Sequence, residues 1–105
     1  MTDALANVSS EVEEEVARRF PARDVPGVLG ALSELAAPPA ETAAWARTRS
    51  RVQLALIKLA AGDAAQFFRH LELAKLDWRD TLCAAGLEND DWPAVLRAAG
   101  YLVPR

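Results

Sequence analysis

Two side chains with a wide range of chemistry occur once each in this sequence, His70 and Cys83. A nucleophilic pair of the thiolate–imidazole kind would need both in one cleft, within hydrogen-bond reach of each other. At 100° per residue His70 falls at the edge of a face made by Phe67, Phe68, Leu71 and Ala74. Cys83 falls one residue off the face of Trp78, Leu82 and Ala85, which makes it a small filler at the edge of a core. No cluster at metal-ligand spacing accompanies them, so neither catalysis nor a bound metal is expected of either residue.

The most distinctive short stretch is Asp77-Trp78-Arg79-Asp80. Two carboxylates and a guanidinium near a helix start could hold a metal or a polar ligand. Helix architecture accounts for the same residues: Asp77 as N-cap, Trp78 as an anchor in the core, and Asp80 in the first turn near the positive end of the dipole. Arg79 is left to pair with a neighbouring acid. A glycine-rich phosphate loop is not expected, because Gly27 and Gly30 sit within a helical pattern and follow no strand.

A third constellation is cationic. Arg47, Arg49 and Arg51 open a basic side of one helix, which could meet phosphates, and the helix pair after Gly62 could pass for a helix-turn-helix. The second helix of that arrangement, from Trp78 to Ala85, offers only Arg79 as a strong base-edge donor. Arg47, Arg51 and Lys58 form a ridge with Leu54 on it, and a mixed apolar and cationic surface suits a protein contact better than a phosphate track. Glu11, Glu13, Glu14 and Glu15 of the first helix are possible complements, within this chain or in another copy. A competing expectation covers Leu54 with the chain's own tail, Tyr101 and Leu102.

These residues need elements to hold them, and the pattern throughout is helical. Residues 40–61 organise the rest. Val52-Gln53-Leu54-Ala55-Leu56-Ile57 is apolar around most of a helix, the mark of a segment with neighbours on several sides. Trp45, Thr48, Val52, Ala55, Leu56 and Leu59 share its broad face, and Gly62 is expected to stop it in a left-handed conformation. Ahead of it, Ser10 and Glu13 make a capping-box pattern opening a helix with Val12, Val16 and Phe20 on one side. Glu14–Arg18 and Glu15–Arg19 are spaced as i,i+4 pairs. Pro21 ends that helix, and Asp24 caps the next, whose stripe is Val28, Leu29, Leu32 and Leu35. Ala36-Ala37-Pro38-Pro39 is a stiff break.

After Gly62, Asp63 and Gln66 form a second capping box, for a helix to about Lys75. Asp77 opens a short helix ending at Gly86. Asp90 or Asp91, with Pro93 in the first turn, opens the last one before Gly100, and Asp91 is taken as its cap. Tyr101-Leu102-Val103 is an apolar tail that folds back on the core. Asp77-Trp78 with Leu82 and Gly86 echoes Asp91-Trp92 with Leu96 and Gly100. Asp24 and Pro26 echo Asp91 and Pro93. One echo at this spacing reflects shared helix starts and stops, and no repeat architecture follows from it.

Residues Leu56 to Gly86 resemble a stretch found in small uncharacterised bacterial proteins. The shared elements are Leu56-Ile57-Lys58-Leu59-Ala60-Ala61-Gly62-Asp63, Leu71, Ala74, Asp77-Trp78-Arg79-Asp80, Leu82 and Ala85. The resemblance covers about a third of the chain and implies a helical fold with no reaction attached.

Composition sets the outer bounds. The chain has 105 residues, 51% apolar and 26% charged, with a net charge of −3. That length suits one domain burying roughly 65% of its unfolded surface. Arg outnumbers Lys ten to two and alanine is abundant, which suggests a GC-rich bacterial genome. Residues 1–41 carry eight acids and three bases, while 42–105 carry nine bases and seven acids, so a domain-wide basic footprint for nucleic acid is lacking. There is no apolar run of membrane-spanning length and no secretion-signal pattern, and the expected location is cytoplasmic. The expectation is therefore an all-α bundle of about six helices around residues 40–61, without cofactor. It would act as a protein-interaction or regulatory module, with self-association open to it. A nucleic-acid-associated protein using Arg47, Arg49 and Arg51 is second, and an enzyme last.

Overall fold

A computed structural model of the chain describes residues 7–35 and 43–103, without the side chains of 43–47. The 36–39 break, residues 40–42 of the 40–61 helix, and the Trp45 and Arg47 side chains lie outside the described residues. Six α-helices are seen: α1 Ser10–Arg19, α2 Val25–Ser33, α3 Ala43–Ala60, α4 Ala64–Leu76, α5 Trp78–Ala85 and α6 Trp92–Ala98. A 3-10 turn, Ala22–Asp24, leads into α2.

Over α3 the apolar run has the consequence expected of it. Val52, Gln53, Leu54, Ala55, Leu56 and Ile57 are all without solvent exposure. Six successive residues cover more than one and a half turns, so no side of the helix faces water there. Helices α1, α4 and α5 pack on it, α4 and α5 pack on each other, and α2 packs on α1. Val12, Val16 and Phe20 of α1, Val28 and Leu32 of α2, Phe67 and Leu71 of α4, and Leu82 of α5 complete one continuous core.

Helix α3 ends at Ala60, one residue short of the expected 61 and two before Gly62. Ala61 is itself left-handed (φ 51°), and Gly62 follows at φ 85°. A Cβ on Gly62 would lie 2.8 Å from the Arg19 carbonyl oxygen, so glycine is needed here both for its φ and for the close approach of α1's end. Gly86 closes α5 in the left-handed conformation, as the sequence implies.

The helix starts divide into two kinds. Asp63 Oδ1 accepts the N–H groups of Ala65 (2.8 Å) and Gln66 (3.4 Å), and Asp77 Oδ1 accepts that of Arg79 (3.0 Å). These two are side-chain caps, as expected. Asp24 and Asp91 are not: neither makes a side-chain cap bond, and neither has the extended backbone of a cap. The reason is shared. Pro26 and Pro93 stand two residues later and remove one of the two N–H groups a capping carboxylate can reach, and the turn backbone at Asp24 and Asp91 is not the extended one from which the other is reached. A preceding turn starts each helix instead, with Asp24 N–H on Pro21 O and Trp92 N–H on Asn89 O. The cap of α1 is also shifted: Ser9 Oγ accepts Val12 N–H at 3.2 Å, and Ser10 is the first helical residue.

Two measurements follow. Leu56→Ala removes a side chain with no exposed area and is expected to cost about 2–5 kcal/mol in urea denaturation. Asp77→Ala is expected to cost about 1 kcal/mol with Asp77→Asn nearly neutral, whereas Asp24→Ala and Asp91→Ala each stay within about 0.5 kcal/mol. Equal losses at all three aspartates would contradict the division of helix starts.

Candidate functional site

The cationic ridge on α3 is an internal seam. Lys58 Nζ donates to Ala85 O at 2.9 Å, the carbonyl of the last residue of α5. Arg51 Nε donates to Leu87 O at 2.7 Å and its Nη2 to Asn89 O at 3.3 Å, and the guanidinium lies 5.8 Å from the Trp92 ring centroid. Lys58 meets a carbonyl that the end of α5 leaves without an intrahelical partner, at the negative pole of the dipole, and Arg51 meets carbonyls of the loop that follows. Leu54 lies between Arg51 and Lys58 on this face and is fully buried. The contact surface expected at Arg51, Leu54 and Lys58 is thus corrected: the end of α5 and the loop after it occupy that side. Arg49 is likewise not free.

Of the acids expected to complement the ridge, Glu15 is engaged elsewhere. Glu15 has no exposed side-chain area and gathers three donors. Arg19 Nε lies 2.6 Å from one carboxylate oxygen, while Arg18 Nη1 (3.1 Å) and the Leu102 backbone N–H (2.8 Å) approach the other. Arg19 also stacks over the Tyr101 ring at 3.7 Å and reaches Gly100 O at 3.4 Å. The apolar tail folds back as expected, and Glu15 with Arg19 holds it. The i,i+4 pair Glu15–Arg19 forms, whereas Arg18 pairs with Glu15 and Glu14 is exposed. A signal for this node existed in the sequence. Helical projection places Glu15 and Arg19 on the same side of α1 as Val12 and Val16.

Asp77-Trp78-Arg79-Asp80 is laid out as a helix start. Asp77 closes α4 with its own N–H on Leu73 O and opens α5 with its carboxylate. Trp78 is half-buried against the core, Arg79 lies 5.6 Å from its ring centroid, and Asp80 is exposed in the first turn. Among the described residues no group of three or more His, Cys, Asp or Glu could hold a metal ion. His70 is half-buried at the edge of α4's inner face, as projected. Cys83 is exposed rather than a core filler, because the buried side of α5 is Thr81, Leu82 and Ala85.

The surface feature that sequence reasoning missed is on α4. Phe68 was placed on the inner face beside Phe67, but the core takes Phe67, Leu71 and Ala74, and Phe68 points outward. Phe68 is 42% exposed, Leu73 52% and Leu76 84%. Taking 100° per residue, Phe68, Arg69, Glu72, Leu73, Leu76 and Ala65 span about 140° of helix surface opposite the buried stripe. All six are exposed. The second apolar stripe was legible from the same projection that revealed the first.

Fold and surface together define an all-α protein, a compact helical bundle with no strand among the described residues. No helix among those residues is long and apolar enough to cross a membrane. Comparison of the chain with protein-family models, with curated proteins and with solved structures finds no match.

The Glu15 node is open to a direct measurement. Glu15→Ala leaves the Leu102 N–H without its acceptor and two arginines without their carboxylate, with an expected loss of about 2–4 kcal/mol. Glu15→Gln keeps an acceptor oxygen for Leu102 and should lose less than half as much. Amide exchange at Leu102 should accelerate in the alanine variant, and unchanged exchange there would show that the carboxylate does not tether the tail.

Proposed function

We propose that this chain is a small helical protein-interaction module without a reaction centre of its own, and that the outer face of α4 is its contact surface. One observation carries the reading. Phe68, Leu73 and Leu76 stand exposed along a single helix face, while the other large apolar side chains among those described are wholly or partly buried. Scattered apolar side chains are ordinary on protein surfaces, but three large ones along one face, interleaved with Arg69 and Glu72, have the make-up of an interface. Keeping them in water confers no folding benefit, since the core is complete without them. Of the cations that a nucleic-acid reading would use, Arg51 is engaged with the Leu87 and Asn89 carbonyls of the loop after α5.

A photo-activatable cross-linking residue at position 73 or 76, introduced in the native cells, tests this. Discrete adducts are expected from both positions and none from position 88, an exposed residue of the loop after α5. Adducts missing from positions 73 and 76 alike would overturn the reading.

A further inference from the structure

The face of α4 carries more than exposed apolar area. In chain order its members are Ala65, Phe68, Arg69, Glu72, Leu73 and Leu76. An isologous contact between two copies pairs residue i with j and j with i about a two-fold axis. An axis passing between His70 and Leu71, near the middle of the 13-residue helix, sets Arg69 level with Glu72 of the other copy, and Glu72 level with its Arg69. The same axis sets Leu76, the most exposed apolar side chain, against the small Ala65. Phe68 and Leu73 then line the two edges of the seam.

Shifting the axis by a residue and a half, onto Glu72, would oppose Glu72 to its own copy. Charge therefore favours the first register over that one. Arg69 is exposed and forms no ion pair among the described residues, while Glu72 holds only the exposed Lys75 at 2.9 Å, so both can take an intermolecular partner.

We infer that the partner of α4 is a second copy of the same chain, docked antiparallel on α4 in the register that places Arg69 opposite Glu72. This rests on the reading of α4 as the contact surface. Charge complementarity of the face with itself is what names the occupant. A single face of 13 residues is about 20 Å long and buries well under the ~800 Å² per partner of a standard interface. The association is accordingly weak and reversible, with Kd on the order of 10–100 μM.

Sedimentation of the full chain from about 5 to about 500 μM tests the proposal. Wild-type protein shifts from monomer to dimer across that range, and Leu76→Glu stays monomeric with unchanged helix content and melting. Arg69→Glu and Glu72→Arg each weaken association by about tenfold or more, and the double exchange restores it to within about threefold of wild type. All three positions are exposed, so folding is not at stake. Double-exchange protein as weak as the singles overturns the register and with it the proposal. A wild-type chain that is monomeric throughout, while cross-linking from position 76 yields an adduct of mass other than twice the chain, overturns self-pairing and leaves the contact surface standing. Absence of every adduct overturns both.

Discussion

Six consecutive residues of α3 out of contact with water form the constraint on which the rest of this structure depends. A helix has no inner side over Val52–Ile57, so packing has to be supplied all round. Helices α4 and α5 supply two sides, and α1 a third. The side of Gln53 is closed by polar contacts: its Nε2 donates to Asn7 O at 3.0 Å and to Leu32 O at 3.2 Å, tying the start of the described chain and the end of α2 to α3. Its Oε1 is buried without a partner among the described residues. Two carbonyls facing the same amide fix its orientation, because only the NH₂ group can donate to both.

Charge is arranged around that buried segment with the same economy of position. Arg51 and Lys58 border it and hold the carbonyls where α5 ends, so the cations that look like a surface ridge join two helices. Glu15 does the corresponding task at α1, where an anion collects two guanidinium groups and the N–H of Leu102. Each of these ions is matched by groups of opposite polarity, the condition under which burial of a charge is tolerated. The chain closes on itself at the same place: the tail lies along α1, and α1's end meets the turn at Gly62.

Helix α4 stands apart because it is apolar on two opposite sides. Phe67, Leu71 and Ala74 complete the core with Phe20, whose ring meets Phe67 edge to face at 5.9 Å. The other side carries Phe68, in edge contact with Phe67 at 5.1 Å, together with Leu73 and Leu76. An amphipathic helix needs only the first set to fold. The second set is left exposed by the fold, with Arg69 and Glu72 interleaved among its apolar members.

What the sequence determined by itself is everything local. The helical class follows from periodicity, the stops at Gly62 and Gly86 from conformational freedom, and the caps at Asp63 and Asp77 from a carboxylate ahead of free N–H groups. At Asp24 and Asp91 the proline visible two residues on removes one of the two N–H targets of a cap, while the turn before each helix sets the backbone that forgoes the other. Even the outward stripe on α4 follows from a complete helical projection. Only the tertiary structure decided which exposed-looking side chains meet another part of the chain. Arg51, Leu54 and Lys58 have the pattern of a surface because helical periodicity ranks faces within one helix and says nothing of what lies beyond it. Leu87 and Asn89, 36 and 38 residues away, are brought there by the packing of α5 on α3. The burial of Glu15 beneath a tail 87 residues on has the same cause: long-range contact, not local pattern, sets whether a charge faces water or a backbone N–H.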